Sequence, residues 1–282
     1  MNNSGRLFSA FLFGPIGIVY LLFLLAPIGF FLSMSLFRYD AFELYVPTVT
    51  SENFERVLTD SYYREIIFRT LKIAFLTCFF SLMLGYPLAY FLARSKSRWR
   101  GVLMFLVIAP LMSGIIVRTY GWIILLGQDG AVNKTLMTIG LISQPLQILN
   151  TEIAVLLALV HILMPYMVFP LFSALASQDP DVERAAGTLG AGRIRTFIEV
   201  TLPLSRTGIL MGTALVFTLT AGAVVTPALL GGKDVQMLGQ QIYDLILTTL
   251  NWPLASAVAF VLVVCQFLII ALYFRGGRHG PM

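Results

Sequence analysis

Six stretches of this chain contain no charged residue at all: 7–37, 73–93, 101–117, 153–177, 207–232 and 245–274. A helix needs roughly 20 predominantly apolar residues, within a range of about 17 to 25, to cross the hydrocarbon core of a bilayer. Each stretch meets that length, and the longer ones take in interfacial or loop residues. With 58% hydrophobic residues, only 12% charged and a mean hydropathy of +0.85, the chain cannot fold as an ordinary water-soluble domain. The pattern predicts an all-α integral membrane protein with transmembrane helices over 9–36, 67–93, 101–126, 153–176, 205–230 and 254–274, in one domain covering 1–282. The first stretch is too long for a signal-peptide core and shows no convincing small-residue cleavage site, so it is expected to stay as a helix, with Pro15 and Pro27 marking its ends or a kink. Cys78 and Cys265 both fall inside apolar stretches, which argues against a disulfide framework or a metal site.

Basic residues orient the spans. With the amino terminus inside, the cytoplasmic segments hold Arg6, Arg94, Lys96, Arg98, Arg100, Arg184, Arg193, Arg195, Arg206, Arg275 and Arg278 against Asp179, Asp181, Glu183 and Glu199, eleven minus four or +7. The other eight basic and ten acidic residues give −2, which recovers the net charge of +5. This bias predicts a multi-pass membrane protein with a cytoplasmic amino terminus. The same topology accounts for the basic pI near 9.3 without a nucleic-acid partner.

One charged island interrupts the apolar pattern, a loop over 178–203 that the orientation puts on the cytoplasmic side. Asp179 caps a short helix with Pro180 in its first turn, Asp181 and Glu183 favour its positive end, and Gly190 suits a left-handed stop. Ala185 and Ala186 leave a face narrow enough for another protein to approach closely. A second amphipathic piece over 193–200 runs to Leu202-Pro203, where proline is expected to break the pattern.

Ala185-Ala186, three residues, Gly190, then nine residues to Val200, and Leu202-Pro203 resembles the EAA loop of bacterial ABC-importer permeases, in register over its whole length. Arg184 occupies the position usual for glutamate, Glu183 lies one residue earlier, and Val200 stands for isoleucine. Leu84-Gly85-Tyr86-Pro87-Leu88-Ala89-Tyr90, Val117-Arg118-Thr119-Tyr120-Gly121-Trp122, Val225-Thr226-Pro227-Ala228-Leu229-Leu230-Gly231-Gly232 and Asn251-Trp252-Pro253 extend the likeness to nearly the whole chain. Together they resemble the permease family of spermidine/putrescine importers of the PotB type. That resemblance implies a six-helix type I importer permease that alternates between outward-facing and inward-facing states. It also implies a second, similar permease, two copies of an ATP-binding subunit docked on the loop through Asp181, Glu183, Arg184, Ala185, Ala186, Gly190 and Pro203, and a periplasmic substrate-binding protein. Related permeases serve opines, phosphonates and ferric ion, so those solutes stand beside polyamines as cargo.

The chain has no G-x-x-x-x-G-K-[ST] phosphate loop, since Gly231-Gly232-Lys233-Asp234 lacks both the spacing and the hydroxyl. ATP and its magnesium are therefore expected on a partner chain, with no cofactor, metal or catalytic residue here. Arg118 falls inside the third apolar region, where an ionisable group is costly unless it faces a cavity or a partner. Facing a pore, it would repel a cationic polyamine, so a structural pairing with a carboxylate or a helix end is the preferred reading. Tyr120 and Trp122 are able to enclose methylene segments with cation–π attraction to ammonium groups, and equally to sit in an interfacial aromatic belt. Asp244 and Asp234 are candidates for attracting cations, or solvated loop charges. His161 reads as a helix-packing hydrogen bonder. A secondary transporter is the competing class, but it commonly carries buried acidic residues or inverted repeats, and neither is visible.

Overall fold

The computed structural model describes residues 3–277, with side chains described at position 14 and from 17 to 275. Arg278, and the side chains of Arg6 and Pro15, lie outside the described residues. In chain order the helices are α1 Asn3–Ser35, α2 Glu52–Thr59, α3 Ser61–Arg94, α4 Trp99–Met112, α5 Ile115–Leu126, α6 Ala131–Thr138 and α7 Glu152–Ala176. They continue as α8 Pro180–Thr188, α9 Arg193–Thr196, a π turn Phe197–Thr201, α10 Leu202–Leu204, α11 Arg206–Ala221, α12 Val225–Leu230, α13 Leu238–Leu247 and α14 Trp252–Gly277. Among the described residues the sole β-type pairing is the isolated antiparallel bridge between Arg38 and Val46. Gly17–Ser35, Ser61–Arg94, Glu152–Ala176 and Trp252–Arg275 are each long and apolar enough to cross a membrane. Two bent pairs raise the number of spans to six if each pair is taken as one: Trp99–Met112 with Ile115–Thr138, bent by 103°, and Arg193–Leu204 with Arg206–Ala221, bent by 65°.

These bends depart from two expectations. The third apolar region does not run as one helix over 101–126. Pro110 interrupts the ladder near its middle, and both the N–H (3.2 Å) and the hydroxyl (2.9 Å) of Ser113 turn back onto the Pro110 carbonyl. Gly114 then takes an extended conformation, φ −62° and ψ 148°, and α5 starts afresh. The fifth region likewise does not continue to 230, because α11 stops at Ala221 and the separate short helix α12 follows.

The chain divides into two compact units. One comprises Met1–Arg64 with Ile242–Val261. In it, Asn53 donates from its side-chain amide to the Ser35 (2.9 Å) and Phe37 (2.8 Å) carbonyls, satisfying orphan acceptors at the end of α1. The Arg38–Val46 bridge closes the following loop, where backbone N–H groups of Glu43 and Phe42 hold the exposed Asp40 carboxyl below the usual carboxylate range. Asn251 caps α14, its side-chain oxygen accepting the Leu254 N–H at 3.1 Å.

The other unit comprises Glu65–Gln241 with Leu262–Met282, and it is organised around α7. Thr151 caps that helix, and Ala158, Met167, Val168, Leu171 and Leu175 on it are fully enclosed. α11 lies against α7 through Gly208 and Gly212, spaced as a small-xxx-small pair. A Cβ at Gly208 would stand 2.7 Å from both the Ala174 Cβ and the Pro170 carbonyl, and one at Gly212 would stand 2.7 Å from the Met167 sulfur. Absence of side chains at these two positions sets the α7–α11 separation.

Candidate functional site

The charged island folds as the sequence predicts at its start. Asp179 accepts the Asp181 N–H at 2.9 Å, Pro180 opens α8, and the acidic residues Asp181 and Glu183 fill its first turn. At the other end Gly190 has φ +86°, with its N–H bonded to the Gly187 carbonyl at 3.0 Å and the Ala191 N–H to the Ala186 carbonyl at 3.1 Å. This pair of bonds is the Schellman closure. A Cβ at Gly190 would meet nothing within 4 Å, so the position requires a left-handed backbone rather than space.

Past Gly192 the backbone departs from expectation. Proline does not break the helix at Pro203; α9 passes through the π turn into α10, and the bend falls at Ser205, φ −84° and ψ 3°. Pro203 lacks the N–H that an α-helix would offer to the Glu199 carbonyl, and its ring crowds that carbonyl. Widening the preceding turn relieves both, and the Leu202 N–H accordingly bonds to the Phe197 carbonyl five residues back.

Glu183 turns inward. Its carboxylate accepts from the Tyr90 hydroxyl at 3.1 Å, from Arg94 Nε and Nη2 at 3.1 and 2.9 Å, and from the Thr201 hydroxyl at 3.2 Å. Arg94 also donates through Nη1 to the Leu175 (3.0 Å) and Gln178 (3.2 Å) carbonyls, and thereby closes the carboxyl end of α7. The pair is largely sequestered, with side-chain exposures of 14% for Arg94 and 19% for Glu183. Tyr86, Tyr90 and Arg94 recur every four residues and so share a face of α3. Tyr86 shares a buried 2.8 Å hydrogen bond with Ser205 and meets the Phe197 ring edge-on at 5.4 Å. Tyr90, Arg94, Glu183, Arg193, Phe197 and Thr201 line a cavity of about 590 Å³ between α3, α8 and the α9–π-turn segment.

The opposite side of the loop is open. Arg184 pairs with Asp181 at 2.5 Å in full view of solvent, and Ala185 and Pro203 are exposed while Ala186 is half-buried. Leu189 at 88% and Ile194 at 77% exposure present large apolar side chains there. The loop thus has an inner face knitted to α3 and α7 and an outer face of alanines, apolar side chains and one neutralised ion pair.

Of the intramembrane candidates on α5, Arg118 and Trp122 meet α7 and Tyr120 does not. Arg118 finds neither a carboxylate nor a helix end; among the described residues it has no ion pair, and it donates to the Ile162 carbonyl within α7 at 3.4 Å. Ile162 lies in the turn before Pro165, one residue past the His161 carbonyl that the proline leaves without its helical donor. Trp122, one turn along from Arg118, donates to His161 Nδ1 at 3.3 Å with the rings edge-to-face at 5.6 Å, so His161 packs two helices as predicted. Tyr120 is 53% exposed and, two residues from Trp122, sits about 200° around α5 from it, so the two rings do not enclose a common space. Asp244 is half-buried on α13 in the other compact unit. The Asp234 backbone carbonyl accepts from Arg69 Nη1 at 2.8 Å; Arg69 also pairs with Glu65 and, at 3.6 Å, with Glu152, which holds Lys72 at 2.6 Å.

Sequence reasoning missed Arg94, Tyr90 and Thr201. It treats Arg94 as one of a cluster of topology-setting charges, whereas the four-residue recurrence of Tyr86, Tyr90 and Arg94 was the available signal of a polar face within an apolar helix.

Apolar spanning helices, a capped surface helix tied into them and the spacing from Ala185 to Pro203 define a class: the permease subunit of an ABC importer. Residues 85–275 match the family described as binding-protein-dependent transport system inner membrane component, and the chain belongs to that family. It is 35% identical over 256 residues to the spermidine/putrescine transport system permease protein PotB of Haemophilus influenzae, across 91% of this chain and 89% of that one. A bacterial ABC transporter that imports the acidic polysaccharide alginate contains a chain of the same fold, with a TM-score of 0.74 at 20% identity over 98% of this chain and 96% of that one. The alginate transporter in complex with a pentasaccharide-bound periplasmic protein contains another, at a TM-score of 0.74, 18% identity and coverage of 95% and 92%.

Proposed function

We propose that this permease carries polyamines, spermidine and putrescine, inward across the membrane in alternation between outward-facing and inward-facing states. ATP and magnesium are bound by separate subunits, and this chain performs no catalysis. The observation that carries the reading is likeness to PotB over nearly the whole chain, joined to an α8 whose outer face is open while its inner face is fixed. Two copies of an ATP-binding subunit take up this helix and that of a second, similar permease, and a periplasmic binding protein delivers the cargo. The amino terminus and the 178–203 loop lie on the cytoplasmic side, as the basic-residue excess directs. All six apolar regions act as spans of one transmembrane domain, the third and fifth as bent ones. Arg118 serves structure, tying α5 to α7, rather than cargo recognition.

ATP-dependent uptake of labelled spermidine and putrescine by the complete transporter in membrane vesicles tests this. Saturable uptake of either supports the proposal. Uptake of neither, by a complex that assembles and hydrolyses ATP, refutes polyamine cargo and directs the search to opines, phosphonates or ferric ion.

A further inference from the structure

We infer that Arg94 and Glu183 form the joint that passes movement of α8 to the membrane helices, with Arg94 as a positioning residue for α8. This rests on the coupling reading above and adds the pair of side chains through which the motion travels.

The starting point is a one-residue displacement. Where the motif places glutamate the chain has Arg184, exposed and neutralised by Asp181. The carboxylate is moved back to Glu183, which turns it by about 100° around α8 from the exposed position of Arg184 toward α3. There it receives donors from α3 (Tyr90, Arg94) and from the π turn (Thr201), while Arg94 grips the last carbonyls of α7. Three segments therefore meet at one carboxylate and α7 joins them through Arg94, so α8 cannot shift relative to α3 or α7 without breaking charge-assisted bonds. An arginine fork holding a carboxylate through two nitrogens is directional and stiff. Stability alone does not account for it, because a sequestered ion pair is often matched or bettered by apolar side chains of similar volume. An apolar replacement would fill the volume but would not resist a sideways pull.

The test is a distance measurement by pulsed electron paramagnetic resonance on the complete transporter. Native Cys78 and Cys265 are replaced by serine, and spin labels are placed at the exposed positions Leu189→Cys beside α8 and Phe79→Cys on α3. On trapping with ATP and vanadate, the label distance is expected to hold constant with Arg94 and Glu183 intact. Glu183→Gln is expected to shift or broaden it by about one helical turn, ~5 Å, and Arg94→Lys, which keeps the charge but loses the two-nitrogen fork, to broaden it likewise. A Glu183→Gln distribution that stays as narrow and constant as the intact one overturns the joint while leaving docking intact. ATP-binding subunits that fail to associate even with the unsubstituted permease overturn the coupling reading and the joint together. If Glu183→Gln does not assemble, Arg94→Gln breaks the same pair from the other side; a broadened distribution supports the joint, and an unchanged one overturns it.

Discussion

Gly190 is the residue whose demand is simplest to state: φ +86°, with no atom near enough to obstruct a side chain. Replacement by aspartate therefore costs backbone strain, about 1–2 kcal/mol for a left-handed L-residue, and not a steric clash within the chain. The expected outcome for Gly190→Asp is normal membrane insertion, measured by the amount of protein in the membrane fraction, with uptake largely abolished because the Schellman closure that sets α8 is lost. The position was legible in the sequence, since a left-handed stop after a capped helix has a strong glycine signature. The direction of Glu183 was not. A motif gives positions along the chain, but whether a carboxylate faces a partner or α3 depends on where Arg94, nearly ninety residues earlier, ends up.

At the scale of elements, the apolar stretches announced which segments are helical and left out where they bend. Pro110 and Pro203 were both visible, yet proline acts differently in the two places. At Pro110 a serine and a glycine follow and the helix ends, whereas at Pro203 the chain absorbs the missing N–H in a π turn and continues to Ser205. The α7–α11 contact is a second feature that spacing carried, in Gly208 and Gly212, and that only geometry made consequential. Gly212→Leu forces a side chain into the Met167 sulfur and backbone, and overpacking of this kind costs roughly 1–3 kcal/mol. A lower midpoint of thermal unfolding in detergent is expected. Asn133 fixes the connection between α5 and α7 in the same local sense. Fully buried, it donates to the Gly127 and Leu146 carbonyls, both at 3.0 Å, and accepts the Leu146 N–H at 2.8 Å. Asn133→Ala leaves the Leu146 N–H without its acceptor, while the Gly127 and Leu146 carbonyls keep the Gly130 and Ile148 N–H groups, at a cost of roughly 1–3 kcal/mol for the orphaned donor. Faster proteolytic cleavage within 127–150 is the expected result.

For the whole molecule, composition and charge bias were enough to place the chain in a membrane and to single out the charged loop over 178–203. They did not reveal a cargo path: on α5, Arg118 and Trp122 turn to α7 and are tied to it, whereas Tyr120 lies exposed on another side of the helix. A permease of this class works as part of a larger assembly, so its most informative surface is the one it leaves unsatisfied: Leu189, Ile194 and Ala185 on the outer side of the loop. The central claim is that an ATP-binding subunit covers that surface. The direct measurement is cysteine cross-linking from Leu189→Cys, with Cys78 and Cys265 replaced, in membranes containing the complete transporter. A cross-linked product with the ATP-binding subunit, with an efficiency that changes when ATP and vanadate are added, is the predicted result. A transporter that assembles and transports but yields no such product in any nucleotide state would contradict the account.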